Sequence, residues 1–298
     1  MNDKVEIFLK TNHISYEKGV SLTTKTWLRR GGVVGLYITP CSKNELQTVV
    51  HYLNEHSLSY EIVGHTSNIY YLDTYNPDIV ISTAHVRKFE ETEEHIVCDC
   101  GTSMSQLARY CIERGYRGYA GLINLPGTVG AAICNNSSCF NCSIEELIVS
   151  VEFLDTQCNE VRTLNPADFG FSFRNSKLKS GQLRGVILSA KLKKEAGVAL
   201  EEIAKASQAT AIRRKTQEPP AYTLGSCYAG LKPKAGTHLM LVKMGGGNSP
   251  KNELVHTIED DQAATANLGC LWASPLHINK EYQHIQVAPQ LQGHSSCF

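Results

Sequence analysis

Two short segments carry residue types suited to gripping an anion with the main chain. The first, Gly64-His-Thr-Ser-Asn68, follows the strand-like run Tyr60-Glu-Ile-Val63. Backbone N–H groups in so small and polar a turn make a concavity for a pyrophosphate, because glycine and short side chains leave the amides open. A tight turn with no ligand has the same composition, so this segment alone leaves both readings open. The second, Gly121-Leu-Ile-Asn-Leu-Pro-Gly-Thr-Val-Gly-Ala-Ala132, sets three glycines and a proline among small residues. That mixture suits close backbone packing or backbone approach to a ligand. Neither segment matches G-x-G-x-x-G or G-x-x-x-x-G-K-S/T, which removes the usual support for a Rossmann cofactor site or a P-loop NTPase.

The thiols offer a different chemistry. Cys98-Asp-Cys100 and Cys139-Phe-Asn-Cys142 each present two candidate metal ligands. A zinc site needs four that converge, and a C-x-C in a strand joined to a C-x-x-C is a weak match, so no metal is expected. The eleven cysteines are odd in number and scattered. In a reducing compartment they read mainly as small buried hydrophobes.

The elements that must position these segments follow from periodicity. Val34 to Thr39 is a β-branched and aromatic run ending at Pro40, and Ser42-Lys-Asn-Glu45 then makes a capping box before Leu46, Val49, Val50 and Leu53 at helical spacing. Strands are expected at 60–63, 78–82, 95–100, 148–154, 159–164 and 184–193. Met104, Leu107, Ala108, Cys111 and Ile112 define a helix stopped by Gly115. Leu200 to Lys215 is rich in good helix formers and ends at Glu218-Pro-Pro220. Gly245-Gly-Gly-Asn-Ser-Pro250 reads as a turn leading into a helix capped by Asn248 or Ser249.

Composition bounds what these elements serve. A chain of 298 residues holds about two domains. Lys plus Arg and Asp plus Glu both total 29, so no overall basic field exists to hold nucleic acid or an anionic membrane. With 42% hydrophobic and 19% charged residues the chain can bury a proper core. The opening residues show no apolar signal region and no run of about 18 apolar residues occurs, so a cytoplasmic protein is expected.

Taken together the motifs acquire a family. Leu122 to Ala132 followed by Asn136 resembles the G-I-P-G-x-x-G-G-A-x-x-x-N signature of UDP-N-acetylenolpyruvoylglucosamine reductases, also called UDP-N-acetylmuramate dehydrogenases. Thr23 to Gly32 resembles the family's T-T-x-x-x-G-G segment, and Gly64 to Asn68 its G-G-G-S-N flavin loop. Phe173-Arg-Asn-Ser176 resembles Y-R-x-S, while Arg213, Gln217 and Gly225-Ser-Cys-Tyr228 resemble R-x-x-x-Q-P followed by A-G-S-x-F. The likeness spans roughly residues 21 to 228.

The resemblance implies an α+β fold: a two-part FAD-binding domain of the vanillyl-alcohol oxidase type over 1–197, split near 83, then a smaller α/β substrate-binding domain over 198–298. It implies FAD held by Gly64, His65, Thr66, Ser67, Asn68, Gly121, Asn124, Leu125, Pro126, Gly127, Thr128 and Ala131. It implies reduction by NADPH and hydride delivery to the enolpyruvyl group of a UDP-sugar in peptidoglycan or related cell-surface glycan synthesis. Arg174 matches the arginine that steadies developing negative charge, and Ser226 the serine that supplies a proton. Asn136, Arg213 and Tyr228 fall to substrate binding. Gln290, in Pro289-Gln-Leu291, stands where the family has a glutamate, and an amide cannot exchange that proton. Thr66 is β-branched where the family prefers glycine, and β-branched residues disfavour positive φ. Residues 229–288 lack the family's later motifs. A noncatalytic flavin or nucleotide-sugar binder, or a reductase of another small substrate, stays open beside the reductase.

Overall fold

The computed structural model describes residues 2–216 and, beyond them, short strands at 223–226, 240–243, 254–255, 286–287 and 296–297. The first part begins with α1 (Asn2–Thr11), which buries Val5 and Leu9 one turn apart. Then follow β1 (Tyr16–Ser21), β2 (Val33–Ile38), α2 (Lys43–Glu55), β3 (Glu61–Val63), β4 (Ile69–Tyr70) and β5 (Ile79–Ser82). Strands β2, β5 and β3 lie parallel in that order, and β1 adds antiparallel beside β2. Parallel pairing of β2 and β3 with β5 requires crossover connections, and α2 supplies one. Its Ser42 side chain accepts from the Glu45 amide at 3.2 Å, while the Glu45 carboxylate reaches back to the amide of Cys41 at 2.9 Å. The carboxylate therefore closes the cap one residue earlier than a simple capping box. Leu46, Val49, Val50 and Leu53 all face the core.

The second part contains β6 (Phe89–Glu91), β7 (His95–Asp99), α3 (Met104–Glu113), α4 (Val129–Cys134), β8 (Ser138–Cys139), β9 (Cys142–Ser143), α5 (Ile144–Leu147), β10 (Ile148–Asp155), β11 (Glu160–Leu164) and β12 (Gly185–Lys193). An antiparallel sheet runs β11-β10-β12-β7-β6. Every residue from Gly185 to Ala190 in β12 is buried, because this central strand is covered on both faces. Cys98 and Cys100 are both buried, as period-two alternation requires.

A single body of buried side chains joins the two sheets, running from Leu36, Ile38, Ile62 and Ile81 on one side to Ile96, Leu188 and Ala190 on the other. A smaller apolar cluster, including Leu22, Val34, Tyr37, Val63 and Tyr71, covers the opposite face of the first sheet. The chain passes from one sheet to the other just after Ser82, through the turn Thr83–His85. Beyond β12, α6 (Ala199–Thr216) packs back against α3 and the turn Ala120–Leu122, and Asn124 Nδ2 donates to its Thr210 hydroxyl at 2.7 Å. Among the described residues no helix is long and apolar enough to cross a membrane.

Candidate functional site

The two small-residue segments meet at the seam between the sheets. Loop 64–68 leaves the end of β3, and 127–131 runs into α4 from the other part. A Cβ built on Gly64 would sit 2.5 Å from Thr128 Oγ1, so only glycine permits this approach. From the other side, a Cβ on Gly127 would lie 3.1 Å from Ser67 Oγ, and Gly127 has φ +110°. Val63, Gly64, Thr83, Cys100, Thr128 and Ala131 wall the narrow crevice between them. Thr83 was not legible as part of it from any motif; its place follows from the crossing after β5, where its hydroxyl donates to the Val63 carbonyl at 3.1 Å.

The second segment is fixed by main-chain bonds. The amides of Met104, Val129 and Gly130 donate to the carbonyls of Gly127, Thr102 and Cys100 at 3.0, 2.9 and 2.8 Å. Thr128 caps α4, its hydroxyl accepting from the Ala131 amide at 3.3 Å. The first segment is fixed differently. Thr66 takes φ +53° even though its branched side chain opposes that conformation. The Thr66 hydroxyl accepts from the Trp27 amide at 2.8 Å and donates to the His65 carbonyl at 2.8 Å, which holds the strained residue in place. The left-handed turn thus survives the loss of glycine. No described group accepts from the amides of Ser67, Asn68, Gly127 or Thr128. Amides without an acceptor on both segments are candidate donors for an anion. Burial, and then the positive neighbours Arg87 and His85, lower the pKa of His65 and favour its neutral ring.

Gly121 lies buried in the turn Ala120–Leu122, and its amide donates to Cys142 Sγ at 3.3 Å. Leu125 and Pro126 are half-buried on the approach to Gly127. Asn124 faces α6, as described above. The Gly121 and Leu125 amides are thus taken up within the segment, the latter by the Leu122 carbonyl at 3.0 Å.

Arg174 sits in a turn closed by reciprocal bonds between Ser172 and Asn175, at 3.1 and 3.0 Å. It has φ +55°, and its Nε is buried with no hydrogen-bond partner among the described residues. Its guanidinium lies 5.9 Å from the exposed ring of Phe173, and burial lowers its pKa. Buried Asn136 braces this turn, donating to the Ser172 carbonyl at 2.9 Å and to Glu145 at 3.1 Å. Ser176 anchors the turn's far side by donating to the Cys134 carbonyl at 2.5 Å. Lys179 Nζ donates to the Arg174 carbonyl at 3.0 Å, and burial lowers the pKa of that ammonium too. Arg213 reaches the same region, its Nη1 lying 3.9 Å from Cys139 Sγ. Both guanidiniums counter the burial that pushes the Cys139 thiol up. Arg174, Lys179 and Arg213 therefore gather positive charge on one side. Lys179 has no motif to announce it, and only the turn geometry reveals it. Ser226 lies in the strand 223–226, its side chain outside the described residues; Gln217, Tyr228, Gln290 and the expected turn and helix at Gly245 to Pro250 lie outside the described residues altogether.

Two sheets share one core, and a narrow crevice lies where the two glycine-bearing segments meet at their seam. Residues 34–164 match the FAD binding domain family. The chain is 30% identical over 178 residues to UDP-N-acetylenolpyruvoylglucosamine reductase from Caldicellulosiruptor bescii, covering 60% of this chain and 56% of that one. It is 29% identical over 229 residues to the enzyme of the same name from Caldicellulosiruptor saccharolyticus, covering 76% and 72%. The crystal structure of UDP-N-acetylenolpyruvylglucosamine reductase from Thermus caldophilus shares the fold, with a TM-score of 0.59 at 21% identity over 75% of this chain and 77% of that one. The chain is thus similar, at 29–30% identity, to proteins that carry this reductase name. The first of these matches spans little more than half of its relative.

Proposed function

We propose that this chain is an FAD-dependent reductase that uses NADPH to convert UDP-N-acetylglucosamine enolpyruvate to UDP-N-acetylmuramate, serving peptidoglycan synthesis in the cytoplasm. The observation that carries the reading is the close approach of Gly64 to Thr128 and of Gly127 to Ser67, which joins two segments whose amides at 67–68 and 127–128 have no acceptor among the described residues. A diphosphate needs many main-chain donors and little side-chain bulk, and the small residues and unbonded amides of these segments support that reading. Bound FAD supplies two-electron hydride chemistry between NADPH and the enolpyruvyl acceptor.

The protein's own residues do the rest. Arg174 offers a buried guanidinium with an unspent Nε–H, suited to a substrate carboxylate whose negative charge grows during reduction. Asn136 orients Arg174 through Ser172. Arg213 and Tyr228 serve the nucleotide-sugar, and Ser226 delivers the proton to the substrate carbon next to the reduced one. A serine hydroxyl is a weak acid, so its neighbours must relay that proton. Gln290 contributes a hydrogen bond but no proton. In this reading residues 1–197 carry the cofactor in two parts divided near 83, and 198–298 carry the substrate.

The test begins with a visible absorption spectrum. Purified full-length protein should show flavin absorbance, or acquire it from added FAD, and NADPH should bleach it. Arg174→Ala should keep the flavin while turnover of the enolpyruvyl UDP-sugar falls about 100- to 1,000-fold, the usual cost of removing a donor from developing charge. Unchanged turnover removes Arg174 from the site. Flavin retention without bleaching would instead mark a noncatalytic binder.

A further inference from the structure

Cys139 and Cys142 lie directly opposite each other in the β8–β9 hairpin. The turn between them, Phe140-Asn141, has φ +47° and +60°, the pattern of a tight two-residue hairpin. Residues opposed in an antiparallel pair have Cα atoms about 4.5–5.5 Å apart. Disulfides span Cα separations of about 4.4–6.8 Å, so closure requires the Cβ atoms to approach by only about 1 Å. Both thiols are free and only partly buried. Cys98 and Cys100, in contrast, are buried in the core on one strand face, and Cys41 and Cys158 stand alone at the surface.

Each sulfur of the hairpin pair also touches a different piece of the candidate site. Cys142 Sγ accepts from the Gly121 amide at 3.3 Å, beneath the second anion-binding segment. Cys139 Sγ accepts from Arg213 Nη1 at 3.9 Å, with the Arg174 charge also acting on it. Positive neighbours favour the thiolate, which is the reacting form.

We propose that Cys139 and Cys142 form a reversible disulfide in response to a hydroperoxide, and that the bond weakens cofactor binding. The Cys139 thiolate attacks the peroxide O–O bond, which breaks to leave a sulfenic acid on Cys139 and release an alcohol, or water from hydrogen peroxide. Cys142 sulfur then displaces water from that sulfenic acid to make the S–S bond. In sum, two thiols and one hydroperoxide give one disulfide, one alcohol and one water, and the two electrons lost by sulfur reduce the peroxide. A small dithiol restores both thiols by exchange. Burial still holds both thiols above their ordinary pKa, so the reaction is slower than that of a dedicated peroxidase. The bond draws the sulfurs together and away from the Gly121 amide and the Arg213 guanidinium, shifting the floor of segment 121–128.

The experiment treats full-length protein with hydrogen peroxide, alkylates the remaining thiols and maps peptides by mass spectrometry. The peptide holding 139–142 should lose two hydrogens and resist alkylation, and dithiothreitol should reverse both changes. Full alkylation of this pair while Cys41 and Cys158 oxidise, or pairing of either residue with another cysteine, overturns the proposal. The bond stands without the reductase reading, but its effect on FAD rests on that reading, so the two are read separately. Peroxide should raise the FAD dissociation constant about tenfold in the wild type and leave Cys142→Ser or Cys142→Ala unchanged. An equal response in wild type and variants overturns the coupling even where the disulfide forms.

Discussion

Loop 64–68 and segment 127–131 face each other across one crevice, yet they are held by different means. The segment entering α4 is laced to residues 100–104 by three main-chain bonds, and glycine supplies its positive φ at 127. The loop after β3 relies on side chains reaching across the sequence: the Thr66 hydroxyl to Trp27, and Tyr71 and Tyr75 donating to the buried carboxylate of Glu61. A shape built from main-chain register tolerates few changes of glycine and many elsewhere. A shape built from side chains can lose its glycines if a hydroxyl takes over their work, and Thr66 shows this substitution in place.

The largest effect should come where the two lips touch. Gly64→Val would drive a branched side chain into Thr128, costing about 1–3 kcal/mol in stability from overpacking. It should also lower FAD affinity by about 100-fold or more, since the two segments would be pushed apart. Denaturant unfolding and flavin titration check the two effects separately. Tight FAD binding in this variant would mean that the cofactor does not use this crevice.

Thr66 tests the contrast itself. Thr66→Val keeps the branch and deletes the hydroxyl that accepts from the Trp27 amide, at a cost of about 1–3 kcal/mol. Thr66→Gly loses the same bond but recovers about 1 kcal/mol by easing the left-handed backbone. The expected order of stability in urea is wild type, then Gly, then Val. Should Val equal or exceed Gly, the strain at Thr66 is not what the hydroxyl offsets.

The same contrast explains what could be read from the residues beforehand. The strands at 34–39, 78–82, 148–154 and 184–193 and the helices at 42–53 and 104–112 announce themselves, because apolar spacing records which face is buried. Gly64 and the Gly121 to Ala132 run were legible as close-approach sites, because glycine is chosen for backbone reasons that hold whatever the neighbours are. The helix α1 and the strands β1 and β6 were not, since exposed, charged residues such as Glu17, Lys18 and Glu90 dilute their periodicity and only tertiary pairing selects them. Lys179 and Thr83 lie near the candidate site through crossings of the chain that no local pattern encodes. The positive φ of Thr66 was hidden for a related reason: propensity argues against it, and the bond that overrides propensity comes from Trp27, 39 residues away.

The smallest effect sharpens the comparison from beneath loop 64–68. Burial raises the pKa of Glu61, only partly offset by the Tyr75 and Tyr71 hydroxyls. A carboxyl with a raised folded pKa binds its proton more tightly when folded, so it weakens stability as pH rises from the unfolded value through the folded one. Glu61→Gln removes that slope while keeping an oxygen acceptor for one of the tyrosines. The variant should match wild type near about pH 4, where the unfolded carboxyl is largely protonated, and gain up to about 1 kcal/mol by about pH 8. Urea midpoints at the two pH values check the sign; a gain confined to acid pH would reverse it. Hydrogen exchange on the same pair should change at amides 61–68 and leave 127–131 alone, because β3 feels Glu61 directly, whereas the facing segment takes its shape from carbonyls at 100 and 102.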